Sequence, residues 1–94
     1  MPAMQITTNG DHLLDIRNLV PQHFDIGASL VGPGSGATVQ LWGRIAGTKY
    51  NLDPAQSVAV GSPVVWPNSY TKNAERGVTV SGLAAGDRLT VEWA

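Results

Sequence analysis

The sequence predicts an all-β fold, a small antiparallel β-sandwich of immunoglobulin-like or jelly-roll-like type, with a small β-barrel as the alternative. Two observations support this prediction. Apolar residues alternate with polar ones along much of the chain, as in strands that bury one face. Turn-forming residues separate these stretches at the short spacing typical of sandwiches and barrels. The 94 residues suffice for one domain, 1–94, in which two sheets bury their apolar rows against each other.

Four stretches show the alternation clearly, and each is expected to bury one row of a strand. The rows are Phe24, Ile26, Ala28 and Leu30; Val39, Leu41, Gly43 and Ile45; Val78 and Val80; and Leu89, Val91 and Trp93. The last of these rows predicts that Trp93 lies in the core.

Weaker patterns predict five more strands, at residues 4–8, 12–17, 49–52, 57–60 and 64–66. Residues 12–20 could instead form a short helical turn that ends before Pro21. Residues 67–76 are polar and are expected to form a long loop. Residues 1–8 are expected to form either an N-terminal arm or an edge strand.

The composition limits the classes of partner. Six Lys and Arg against seven Asp and Glu give a net charge near −1, which is too little positive charge for nucleic-acid binding. Only 14% of the residues are charged, and weak mutual repulsion suits a protein that works while docked. No apolar stretch approaches the ~18 residues of a membrane span, and no secretion signal precedes the strands, so synthesis in the cytoplasm without membrane contact is expected.

The sequence predicts no enzyme, no metal site and no cofactor. The glycine-rich segment at residues 32–36 precedes a strand and not a helix, which favours a hairpin connection over a phosphate-binding loop. His12 and His23 lie in neither a nucleophile-elbow sequence nor a zinc-ligand spacing. The chain has no cysteine, which excludes disulfides and thiolate metal sites.

Five residues are predicted to contact a partner: Met4, Ile6, Trp42, Trp66 and Tyr70. Met4 and Ile6 belong to the N-terminal segment, which could pair with a strand of a neighbouring molecule. Trp42 lies in the row opposite Leu41, so it is either an exposed contact residue or a cap on the sheet edge. Trp66 and Tyr70 could form a sugar-stacking platform or a docking anchor, or Trp66 could fill space under the loop.

The C-terminal residues 78–93, VTVSGLAAGDRLTVEW, resemble the penultimate corner of fibronectin-III-like and immunoglobulin-like sandwiches. In those domains an apolar strand ends at a leucine, a small-x-Gly turn follows, and the next strand begins. Leu89 stands where the usual tyrosine would be, so the tyrosine-corner hydrogen bond is absent from this sequence. The resemblance implies a sandwich fold and says nothing about activity.

The whole chain resembles the small β-sandwich virion proteins of tailed bacteriophages. The shared features are a Gly-, Thr-, Val- and Ala-rich sequence of about this length, no cysteine and low charge. The resemblance implies a non-enzymatic decoration or cement protein on the capsid exterior, bound to the major capsid protein or to copies of itself in a symmetric, multicopy assembly. It also allows a head-fibre or tail subunit.

Two alternatives come from the residues. One is a carbohydrate- or ligand-binding sandwich module that uses Trp42, Trp66 or Tyr70. The other is an immunoglobulin-like spacer domain of a larger chain.

Overall fold

The computed structural model describes residues 3–14, 23–34, 36–70 and 75–93. These residues contain strands and no helix. The strands are β1 (Ala3–Ile6), β2 (Gly10–Leu14), β3 (His23–Val31), β4 (Ala37–Ile45), β5 (Thr48–Asn51), β6 (Gln56–Val58), β7 (Val64–Tyr70), β8 (Glu75–Ser81) and β9 (Arg88–Trp93).

The strands form two antiparallel sheets that pack face to face, which confirms the predicted β-sandwich. Sheet A has the order β1-β9-β3-β7. Sheet B has the order β2-β8-β4-β5, with β6 paired to the first residues of β4. The two sheets remain separate layers, so the alternative of a small closed barrel is wrong for the described residues.

The pairing decides between the two predicted types of sandwich. Moving outward from the β4–β5 hairpin, the pairs β4·β5, β3·β7, β2·β8 and β1·β9 are nested, like one long hairpin rolled onto itself. The additional pairs β3·β9 and β4·β8 divide this roll into two sheets. This is a jelly roll. The last two strands lie in opposite sheets, whereas in the immunoglobulin fold they share one.

The core lies between the predicted apolar rows, except that Ile45, predicted to be buried, is 51% exposed because it lies at the very end of β4. Ile26, Ala28 and Leu30 of β3 face Val39 and Leu41 of β4, and all five are at most 3% exposed. Trp93 is buried as predicted. Further core residues come from nearly every strand: Ile6, Leu14, Val58, Trp66, Val78, Val80, Leu89 and Val91.

The predicted loop at residues 67–76 is largely wrong. β7 continues to Tyr70 and β8 begins at Glu75, while residues 71–74 lie outside the described part of the chain. Pro67 does not end β7, because β7 is an edge strand and a proline there need not donate to a second neighbour. The polar residues Ser69 and Tyr70 extend the strand by pairing with the start of β3.

Side chains join the loops at one end of the sandwich. Asn9 donates from Nδ2 to the Leu83 carbonyl and accepts the Leu83 N–H at 2.8 Å, which ties the β1–β2 loop to the β8–β9 loop. Buried Asp87 accepts the Gly34 N–H at 2.8 Å. A Cβ at Gly34 would collide with this carboxylate, which explains the glycine. The glycine-rich segment therefore joins the two sheets around Asp87, and the predicted hairpin is wrong.

Candidate docking surface

The predicted contact residue Trp42 is buried, although its row faces outward from sheet B. Only 3% of Trp42 is exposed. Gly77 of β8 pairs with Trp42 in register, and its missing side chain leaves space that the indole ring fills. Lys49 Nζ lies 5.4 Å from the ring centroid, within cation–π range. The prediction of an exposed ring is wrong because the gap at Gly77 lets the ring lie flat on the sheet.

Ion pairs cover much of this outer face, although Leu13, which pairs with Gly77, is 42% exposed. Lys49 Nζ lies 3.1 Å from Asp11 Oδ2, and Thr79 donates its hydroxyl to the same carboxylate. The Thr79 hydrogen bond, followed by that of Lys49, lowers the pKa of Asp11 below its ordinary value of 3.8.

A second pair lies on the same face. Arg44 donates from Nε to Glu75 Oε1 at 2.9 Å, and this hydrogen bond raises the pKa of Arg44. The outer face of sheet B thus satisfies most of its polar groups internally.

The other predicted contact residues do not form one surface with Trp42. Trp66 is 4% exposed and Ile6 is 1% exposed, and both belong to the core. Met4 packs against the core from β1, at the edge of sheet A. The Tyr70 side chain lies outside the described residues, although the Tyr70 backbone ends β7. Trp42 and Trp66 are therefore not exposed for sugar stacking.

The outer face of sheet A differs from that of sheet B. Three residues lie side by side across three strands: Glu92 of β9, Gly27 of β3 and Val65 of β7. Because Gly27 has no side chain, a groove of about 150 Å³ opens between Glu92 and Val65. We call this groove the Gly27 notch; it is lined by Gly27, Ala28, Ser29, Pro63, Val64, Val65 and Glu92.

An exposed apolar row borders the Gly27 notch. Pro63, Val65 and Pro67 alternate with Val64 and Trp66, which point inward, and Val65 is 60% exposed. We call Pro63, Val65 and Pro67 the β7 ridge. Since neither proline has an N–H, this edge is poorly suited to pairing with a further strand. The ridge is therefore available for contact through its side chains.

The sequence contained a signal for this ridge that the strand prediction overlooked. Residues 63–67, PVVWP, are apolar at every position, so a strand there must expose one apolar row. The prediction considered only the tryptophan, which belongs to the buried row. The exposed valine between the two prolines carries the surface.

A second groove, of about 220 Å³, lies on sheet B where β4 meets β6 and β8. Thr38 pairs with Ser57 on one side and with Ser81 on the other, so three exposed hydroxyls form a row across the strands. The remaining lining is glycine, alanine and valine. The groove has hydroxyls but no charged group.

The titratable residues do not converge in the described ranges. No group of three or more His, Cys, Asp or Glu side chains there is arranged to hold a metal ion. His12 Nε2 lies 2.9 Å from the Thr8 carbonyl on the surface, and the His23 side chain is outside the described residues. The same ranges contain no helix with the length and apolar character of a membrane span.

Comparison with known proteins finds no matching family model, no matching curated protein and no matching solved structure. The candidate surface therefore depends on its own geometry.

Proposed function

We propose that this chain is a non-enzymatic structural protein that decorates a bacteriophage capsid by docking onto the shell of the major capsid protein. The observation that carries the proposal is the β7 ridge. It exposes Pro63, Val65 and Pro67 on one outer face, while the ring on the opposite face is covered by Lys49. Adjacent exposed apolar groups on an outer face are typical of a protein-contact surface.

The size of the face indicates how such docking would work. Four strands at a spacing of ~4.8 Å and about six residues long cover roughly 20 Å by 20 Å, or roughly 400 Å². A stable interface needs roughly 800 Å² from each partner. A single contact through sheet A is therefore weak, and repeated contacts on a symmetric shell would supply the strength.

Low charge supports the same proposal. With six basic and seven acidic residues, the chain has little net repulsion between copies placed side by side on a shell. The jelly-roll strand order gives no support to the immunoglobulin-like spacer domain, and the buried Trp42 and Trp66 give none to the carbohydrate-binding module.

Binding to capsid shells that lack the protein tests the proposal. We expect the purified chain to co-sediment with such shells and to appear on their exterior by cryo-electron microscopy. Val65→Asp should weaken binding at least tenfold by placing a charge in the apolar contact. Asn51→Asp adds the same charge on exposed β5 of sheet B and should bind normally.

Failure of the wild-type chain to bind shells, or its absence from mature virions, would refute the proposal. Equal weakening by both aspartate variants would show that sheet A is not the docking face. Circular dichroism and thermal unfolding of each variant establish that it is folded.

A further inference from the structure

We propose that the Gly27 notch binds a lysine or arginine side chain of the partner. The aliphatic stem would lie over Gly27, between Val65 and Pro63, and the cationic group would reach Glu92. That the side chain belongs to a protein partner rests on the proposed docking function. The preference of the notch for a cationic side chain is independent of that function.

The first step concerns why residue 27 is a glycine. Its φ is not in the left-handed region, and a Cβ placed there would meet nothing closer than the Val64 carbonyl oxygen at 3.9 Å. The fold therefore has room for a side chain at this position. A glycine weakens the interior of a strand, where it often marks a β-bulge or the close approach of another molecule. The register shift between β3 and β7 lies between Phe24 and Ile26, whereas Gly27 pairs regularly with Val65, which leaves close approach as the reason.

Two glycines in the strands of sheet B, Gly77 and Gly43, support this reasoning. A Cβ at Gly77 would collide with the Trp42 ring, and a Cβ at Gly43 would collide with Tyr50 and Arg76. Side chains of this chain occupy the space that both glycines leave. The space at Gly27 opens outward and holds none of the described side chains.

The second step concerns charge. Glu92 pairs directly with Gly27 across β9 and β3 and is exposed. None of the described residues forms a hydrogen bond or ion pair with its carboxylate. By contrast, Lys49 binds Asp11 and Arg44 binds Glu75 on sheet B.

A carboxylate at the end of a small apolar groove complements one kind of natural side chain. Lysine and arginine have an aliphatic stem that packs on apolar surface and a cationic end that seeks a carboxylate. A purely aliphatic side chain would leave Glu92 without a partner. The prolines of the β7 ridge disfavour main-chain pairing at this edge, so insertion of a side chain is the remaining way to fill the notch.

Nuclear magnetic resonance titration of the intact protein tests the notch with defined compounds. The test compound is N-acetyl-lysine methylamide, and the control is N-acetyl-norleucine methylamide, which has an aliphatic side chain and no charge. We expect the lysine compound to shift the amide signals of Gly27, Ala28 and Val65. The norleucine compound should bind about threefold more weakly, the range of an exposed ion pair.

Three variants sharpen the titration. Glu92→Gln should reduce affinity for the lysine compound to that for the norleucine compound. Gly27→Val fills the notch and should abolish the shifts, while thermal unfolding verifies the fold. Asp53→Asn removes an exposed carboxylate elsewhere and should change nothing. Equal affinity for both compounds, unchanged binding by Glu92→Gln or Gly27→Val, or shifts mapping elsewhere would overturn the inference.

Shell binding separates this inference from the proposed function. Gly27→Val should co-sediment with shells at least tenfold less than the wild-type chain. If both bind shells equally, docking stands and the notch is not used. If the wild-type chain binds no shells while the lysine compound still maps to the notch, the capsid proposal fails and the preference of the notch stands.

Discussion

Gly77 and Gly27 occupy comparable places on the two outer faces, but only the gap at Gly77 is filled by a side chain of this protein. Each glycine lies within a central strand and leaves a gap beside its neighbours. On sheet B, Trp42 lies across the gap at Gly77 and Lys49 covers the ring. On sheet A, the gap at Gly27 lies between Glu92 and Val65 and stays open. A strand glycine therefore indicates a contact site only where the chain itself leaves the space unfilled.

The difference follows from which residues stand beside each glycine. Trp42 of β4 is the direct partner of Gly77, and its large ring gains free energy by being buried in the space that the missing side chain leaves. Gly27 has Val65 and Glu92 as its direct partners, and neither side chain covers it. The gap at Gly77 is thus closed by the Trp42 ring, whereas the gap at Gly27 stays open beside the β7 ridge.

Removing the ring should have the largest effect on stability. We expect Trp42→Ala to lower the free energy of unfolding by about 3 kcal/mol, because a buried aromatic side chain and its packing on Gly77 are lost. Urea denaturation followed by circular dichroism measures the change. A loss below about 0.5 kcal/mol, the range of an exposed surface position, would mean that the ring does not close sheet B.

Adding a methyl group under the ring should cost somewhat less. Gly77→Ala places a Cβ where the Trp42 ring lies, so either the ring or the strand must move. We expect a destabilisation of about 2 kcal/mol, typical of overpacking. Combining it with Trp42→Ala provides the control: if the ring causes the collision, Gly77→Ala should cost much less in that background.

The same substitution on the other face should have the opposite sign. In Gly27→Ala the added methyl group meets no close atom, and the backbone is not in the left-handed region. The only expected effect is therefore the greater stability of alanine than of glycine inside a strand. We expect about 0.5 kcal/mol of stabilisation, measured by the same denaturation. Destabilisation by 1 kcal/mol or more would show that Gly27 is required by the fold, and the comparison between the two gaps would be lost.

The smallest effect concerns pH. The pKa of Asp11 is lowered in the folded state, so its contribution to stability is present above pH 3.8 and is lost as the pH falls through the folded value. Carbon-13 titration of the carboxyl should give a pKa below 3.8. Thr79→Val and Lys49→Met should each raise this pKa, because the Thr79 hydrogen bond is its largest single cause and Lys49 acts through both a hydrogen bond and its charge. A carboxyl that titrates at its ordinary value would contradict the network drawn over sheet B.

The fold was predictable to the extent that it depends on alternation. The buried residues of β3, β4, β8 and β9 follow from period-two patterns, and so does the burial of Trp93. The pattern also predicted burial of Ile45, which is exposed at the end of β4. The alternation of apolar and polar residues assigns each side chain to one of two faces, but it does not say whether a large ring on the outer face is covered by its neighbours. The sequence therefore left open whether Trp42 is exposed or caps the sheet edge, because its burial depends on Gly77, which lies 35 positions later and becomes its neighbour only through β4·β8 pairing.

The strand boundaries near β7 show the same limit. Local chemistry placed a loop at residues 67–76, because polar residues and a proline disfavour strands. Pairing with β3 overrides that preference, and the edge position of β7 tolerates Pro67. Contacts with distant residues outweigh local propensity for such segments.

The sequence alone determined the all-β class, the inward rows and the low charge, since these depend on residue type and on a period of two. Only the tertiary structure decided the jelly-roll order, the closure of sheet B by Trp42 and the open notch beside Glu92. These features depend on which strands become neighbours, and strand pairing joins residues that are far apart along the chain.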